Sequence, residues 1–297
     1  MNRSLFSGLW QRVFHQGNPL YILIGINVLV FLMLGLAGVF SFLRIIPPTV
    51  PAWLTDFLAL PASFSAFIRA PWTLVTYMFT QQSFFHLLFN MLWLFWLGQI
   101  FQSFLQSRQL LFTYLAGGLA GGLIFLIAYA VIPAFQETAS YHYLIGSSAG
   151  VSAVVFATAT LVPDYSIRML FLGNVKLKYL ALAFIVLDLI GVGSSNAGGS
   201  VAHIGGALMG FLIIRQLQNG NDWSRIFEKR KKSKLRVYSV RNNEHARTGG
   251  KAGRPRTPDS SQEVIDRILD KISLSGYDSL SQEEKEALFK ASKEEKK

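Results

Sequence analysis

Three short stretches carry the side chains that could do chemistry in this chain. "GSSAG" (146–150) sets two adjacent serines, Ser147 and Ser148, between glycines. "HLLFN" (86–90) spaces His86 and Asn90 four positions apart, which is one face of a helix. "SVAHIGG" (200–206) carries His203. A serine hydroxyl becomes a nucleophile when a base takes its proton, and histidine is the usual base. Two fixed donors on one helical face suit a developing oxyanion. Taken singly, each residue has a plainer use: a Ser or Asn in an apolar helix commonly bonds a neighbouring helix. Together they match acyl transfer.

These residues are set in apolar sequence. The chain has 297 residues, 51% hydrophobic and only 15% charged. No Asp, Glu, Lys or Arg falls between Arg12 and Arg44, Arg69 and Arg108, Arg108 and Glu137, Glu137 and Asp164, or Asp188 and Arg215. Each gap accommodates the roughly 20 residues that cross a hydrocarbon layer of about 30 Å. The pattern predicts an all-α membrane protein of six transmembrane helices near 20–42, 85–105, 110–132, 146–162, 177–193 and 200–217. Lys and Arg concentrate in the N-terminal segment, in the loops after the second and fourth spans and after the sixth, so both termini are expected in the cytoplasm. A cysteine placed at 140 should then react with an impermeant reagent from outside; labelling only after the cytoplasmic face is opened would invert this topology.

That orientation runs the second, fourth and sixth spans from outside to inside. His86 and Asn90, the two serines, and His203 then all lie in first turns at one depth near the outer surface. Polar groups inside a membrane are a functional signal by default. Gly206 and Gly210 share the face of His203, and Gly146, Ala149, Gly150, Ala153 and Ala157 give the fourth span a similar small-residue face. Such faces let helices approach closely in lipid. "YLAGGLAGGLIF" in the third span reads as packing alone.

The remaining segments are peripheral to this layer. Loop 43–84 holds Pro47, Pro48, Pro51, Trp53 and Trp72, and its apolar content suggests partial embedding at the outer interface. Residues 225–256 carry twelve Lys/Arg against two Glu, a tail suited to an anionic cytoplasmic leaflet rather than to nucleic acid. The expected organisation is a membrane domain over 1–217, a basic juxtamembrane segment and flexible linker over 218–260, and a small cytosolic helical hairpin over 261–297. Apolar positions 264, 265, 268, 269 and 272 give the hairpin its stripe, and Ser281 with Glu284 a capping box. A cytosolic partner for it is not named by the sequence.

In these motifs the chain resembles the rhomboid intramembrane serine proteases, over about residues 20–217. The resemblance rests on "HLLFNMLW" (H-x-x-x-N), "GSSAGVSAVVFA" (G-x-S-G, then a small-residue helix) and "AHIGGALMG" (A-H-x-x-G-x-x-x-G), in that order. It implies Ser148 as nucleophile and His203 as general base in a dyad without an acid. His86, Asn90 and the Ser148 backbone N–H would form the oxyanion hole, with Gly146, Gly150, Gly206 and Gly210 as close-packing positions. It also implies single-pass membrane proteins as substrates, a lipid bilayer as medium, a bacterial inner-membrane location, and no cofactor or metal. Two positions depart from the family pattern: Ala149 stands where the family usually has Gly, and Ser152 where an aromatic often stacks on the base.

Other chemistries fit less well. There is no cysteine and no H-E-x-x-H for zinc. His142 is a second candidate base in the loop before Ser148. Asp188, near the outer end of the fifth span, could complete a Ser–His–Asp triad, but the plainer reading is a helix-end carboxylate reaching the interface. A transporter is a further alternative, as is an inactive rhomboid-like adaptor that binds client helices without cutting.

Overall fold

The computed structural model of the chain describes residues 17–169, 173–194, 196–227 and 261–294. Six helices form an all-α membrane bundle: α1 (Pro19–Phe42), α2 (Phe84–Phe104), α3 (Ser107–Val131), α4 (Ser148–Leu161), α5 (Leu177–Gly191) and α6 (Ala197–Gln218). Their ends follow local chemistry. Asn18 caps α1 by accepting from the Leu20 N–H at 2.9 Å, with Pro19 pre-set for the first turn. Gln106 and Gln109 form a reciprocal capping box at the start of α3, and Pro133 follows its end. α4 stops just before Pro163.

Four of the helices, α1, α2, α3 and α6, are long and apolar enough to cross a membrane. The 15-residue α5 is not among them, nor is the 14-residue α4, at about 21 Å against roughly 30 Å of hydrocarbon. α4 lies instead at the centre. Ten of its residues are buried, and it packs against α2, α3, α5 and α6.

The central packing is made by small residues. A Cβ on Gly206 would overlap the carbonyl of Ala149, and one on Gly210 the carbonyl of Ala153. On the other side, Gly117 and Gly121 of α3 face the methyls of Ala153 and Ala149. Close backbone approach of this kind is what holds helices together in lipid, where burial of apolar surface supplies no drive. Two glycines deviate from the expected small-residue face of the fourth span. Gly150 faces the Tyr114 backbone carbonyl and ring on α3, not α6. Gly146 precedes α4 and is a turn residue with φ +118°.

Loop 43–84 is folded. It contains short helices at Thr49–Leu58, Phe64–Arg69 and Thr73–Thr76, and a strand β1 (Leu60–Pro61). Trp53 stacks on Phe57, which meets Trp72 at a tilt, and all three rings stay partly exposed. β1 pairs antiparallel with β2 (Tyr143–Leu144), tying this loop to the segment that leads into α4. The connection between α4 and α5 forms a hairpin, β3 (Ser166–Met169) with β4 (Gly173–Lys176), that periodicity did not predict.

Residues 232–297 group as a separate unit. Its described part is a helical hairpin of α7 (Ser261–Ser275) and α8 (Gln282–Glu294). Ile268 and Leu280 are buried, Lys271 pairs with Glu284 at 2.7 Å, and the Ser281–Glu284 capping box forms. Most of the expected basic juxtamembrane segment and linker over 218–260, and the segment before residue 17, lie outside the described residues.

The glycine contacts generate a paired test. Gly206→Ala should destabilise the bundle by about 1–3 kcal/mol, because its methyl overlaps backbone that cannot move aside. Gly35→Ala, in α1 with nothing within 4 Å of the added methyl, should be neutral or slightly stabilising. Thermal unfolding in detergent measures both; equal effects would mean the α4–α6 contact is not tight.

Candidate active site

The two adjacent serines occupy different environments. Ser147 is the N-cap of α4 and fully buried. Its Oγ accepts from Gln81 Nε2 at 3.1 Å and makes no capping bond to the helix. Ser148 is the first residue of α4 and is partly exposed. Among the described residues its hydroxyl makes no hydrogen bond. An N-cap serine ordinarily satisfies one of the four orphan N–H groups of a first turn. Here the cap's hydroxyl is used elsewhere, so the first amides of α4, that of Ser148 included, remain open beside the Ser148 hydroxyl. They are partial positive charges at a helix N-terminus, suited to an anion.

Gly146 shapes the approach to this turn. Its amide donates to the Tyr77 carbonyl at 2.9 Å. A Cβ on it would lie 2.7 Å from His86 Cε1, 3.2 Å from His86 Nε2 and 3.6 Å from Ser148 Oγ. The missing side chain is therefore the gap between the His86 ring and the Ser148 hydroxyl. Any other residue would be strained at φ +118° and would also displace the ring.

Asn90, one turn below His86, is buried, and its Nδ2 donates to Gln81 Oε1 at 3.1 Å. One of its two amide hydrogens is thus committed to Gln81. Gln81 is itself fully buried and reaches three elements. Besides Asn90 on α2 and Ser147 at α4, its Nε2 contacts Asn27 Oδ1 on α1 at 2.9 Å. Asn27 donates in turn to the Leu23 carbonyl and to the Tyr114 hydroxyl, which donates to the Met78 carbonyl. Neither Gln81 nor Asn27 stood out in the sequence reading. The available signal was a single Asn in an otherwise apolar span, which by default seeks a partner.

His203 lies seven residues into α6, one turn before Gly206. The Gly206–Ala149 contact therefore brings its helix against the first turn of α4. His86 and His203 are near enough for their charges to interact. His203 Nδ1 is 2.7 Å from Asp188 Oδ1 on α5. Among the described residues no hydrogen bond joins His203 to Ser148. Asp188 does not reach outward as a helix-end carboxylate: it is buried against His203. His142 is exposed and bonds the Thr138 carbonyl at 3.0 Å within its own loop. The departure at Ala149 is accommodated by Gly121, which faces its methyl.

Residues 69–218 match the family described as Rhomboid domain, which covers half of the chain. The chain belongs to the rhomboid family. The chain is also similar to RHOMBOID-like protein 12, mitochondrial, of Arabidopsis thaliana, at 27% identity over 158 residues, or 50% of this chain and 47% of that protein. It spans about half the length of that relative. Residues 259–294, the hairpin, match a family of unknown function (DUF6576). This rhomboid is thus an integral membrane protein that joins a rhomboid domain to a second recognisable unit.

The polar hub of the rhomboid domain yields a separation of roles. Gln81→Ala would leave Asn27 Oδ1, Ser147 Oγ and Asn90 Nδ2 without their partner in a buried site, where each unmet group costs about 1–3 kcal/mol. A large drop in thermal stability is expected. Ser147→Ala removes one hydroxyl, shared between Gln81 and Tyr114, and should cost less, with the Ser148 hydroxyl still reactive toward a fluorophosphonate. Loss of labelling in a folded Ser147→Ala protein would assign the reactive hydroxyl to the wrong serine.

Proposed function

We propose that this rhomboid is an intramembrane serine endopeptidase that cuts single-pass membrane proteins near the outer leaflet, in a bacterial inner membrane with both termini cytoplasmic. The observation that carries this reading is the contrast within the serine pair. Ser147 is buried in the hub, while Ser148 presents a partly exposed hydroxyl beside unpaired helix-terminal amides and the His86 ring.

In the reaction, Ser148 Oγ attacks the scissile carbonyl and its proton passes to His203 Nε2. The tetrahedral oxyanion is stabilised by the Ser148 N–H, by His86 and by the Asn90 amide hydrogen that Gln81 does not take. The C–N bond then breaks as His203 returns the proton to the leaving amine. Water, activated by the same histidine, releases the acyl group from Ser148. Nucleophile–base hydrogen bonds are often long before substrate binds and tighten in the complex, consistent with the open Ser148–His203 pair. Client helices must unwind to present a peptide bond. Segments weakened by Gly or Pro are favoured, because unpaired backbone is costly in lipid.

The open pair also favours one competing reading, an adaptor that binds client helices without cutting. A fluorophosphonate probe and a model transmembrane substrate separate the two. Under the protease reading, Ser148→Ala and His203→Ala abolish both labelling and cleavage. Asn90→Ala cleaves about 10²–10³-fold more slowly, the usual cost of one oxyanion donor, with KM little changed. Wild-type protein that is folded but neither labels nor cuts would establish the adaptor.

A further inference from the structure

The chemistry described so far leaves Asp188 without a role. It lies in the last turn of α5, a helix without another charge beyond Lys178 in its first turn, and its side chain is only 12% exposed. One carboxylate oxygen meets His203 Nδ1 at 2.7 Å, and the other is buried with no hydrogen-bond partner among the described residues. Taking a carboxylate out of water is expensive, and a single good contact does not repay it well. A group kept under those conditions in an intramembrane helix points to use rather than to stability.

The contact is held at two points. A Cβ on Gly191 would overlap the Ser200 hydroxyl, so α5 and α6 approach closely there. Gly191 lies three residues after Asp188, and Ser200 three before His203. The same faces of the two antiparallel helices thus meet one turn apart, and the Gly191–Ser200 contact keeps the carboxylate against the ring. Among the described residues no aromatic ring lies against His203, and the side chain four positions after Ser148 is Ser152, too small to brace it. Asp188 is the polar partner that fixes the ring's orientation.

We propose that Asp188 is a positioning residue that completes a Ser148–His203–Asp188 triad within the membrane. This inference rests on the protease reading above. The Asp188 carboxylate accepts from Nδ1–H and so fixes the tautomer with the lone pair on Nε2, the ring nitrogen on the edge away from α5. When Nε2 takes the Ser148 proton, the resulting imidazolium is stabilised through the same Nδ1–H contact. The proton stays on the imidazole and is not passed on to Asp188, as in soluble triads. A rhomboid built this way differs from a Ser–His dyad in having a third side chain on which turnover depends.

The test compares wild type with Asp188→Asn and Asp188→Leu in detergent, by steady-state cleavage of a model transmembrane substrate, thermal unfolding and ¹⁵N-histidine NMR. The His203 resonances are assigned by difference against His203→Ala. Replacing a buried charge by an apolar side chain of similar size is often neutral or stabilising to the fold, so Asp188→Leu should stay folded. The expected result is a kcat about 10²-fold lower or less still in both variants, with KM little changed. The Nδ1–H tautomer of His203 seen in wild type should be lost in Asp188→Leu. Variants that cleave within a few-fold of an active wild type, with an unaltered His203 tautomer, overturn this proposal alone. A wild type that neither labels nor cuts overturns the protease reading and this proposal with it.

Discussion

The architecture depends on the contact between two backbones, the carbonyls of Ala149 and Ala153 on α4 and the bare Cα positions of Gly206 and Gly210 on α6. Serine and histidine side chains are short. They can cooperate across two helices only if the helix axes come closer than ordinary side chains allow. The contact also sets depth. α4 is too short to cross the bilayer alone, and it is clasped by α3 and α6 at the level where Ser148 begins its first turn. Its N-terminal end can thus lie within the protein, away from lipid.

A second constraint divides adjacent residues between support and chemistry. Polar groups in an apolar interior must be paired. Asn27, Gln81, Tyr114, Asn90 and Ser147 solve this among themselves in a network that joins α1, α2, α3 and the entry to α4. Once Ser147 is committed there, the helix that begins at Ser148 has no side-chain cap. The open amides are therefore a consequence of the network, and the surface they form with Ser148 and His86 is what the support leaves free. Asn90 is tied to the network by one amide hydrogen; under the proposed mechanism the other serves the oxyanion.

Much of this was legible from sequence because the membrane simplifies the reading. Stretches without charge marked five of the six bundle helices to within a few residues, α5 being the one that carries Lys178 and Asp188, and reading the helices as alternating in direction gave the expectation that Ser148, His86 and His203 share one layer. What was missed depended on rotation and on loop paths. Gln81 sits in a loop, and no periodicity tells that its side chain turns back into the bundle to meet Asn27. Asp188 was visible as a carboxylate at a helix end, but facing His203 rather than the interface is decided by the twist of α5 about its axis, which the Gly191–Ser200 approach sets. Gly146 and Gly150 were grouped with the small-residue face of the fourth span. One instead supplies a positive φ beside His86, and the other packs on Tyr114. Spacing in a helix fixes which residues share a face, not which neighbour that face meets.

The most direct test of the account is an experimental structure of the protein after reaction with a fluorophosphonate. The account predicts phosphorus bonded to Ser148 Oγ and a phosphoryl oxygen against the Ser148 N–H, His86 and Asn90. His203 Nε2 should face the modified oxygen while Nδ1 remains on Asp188. An adduct on any other residue, or a phosphoryl oxygen turned away from the first turn of α4, would contradict it.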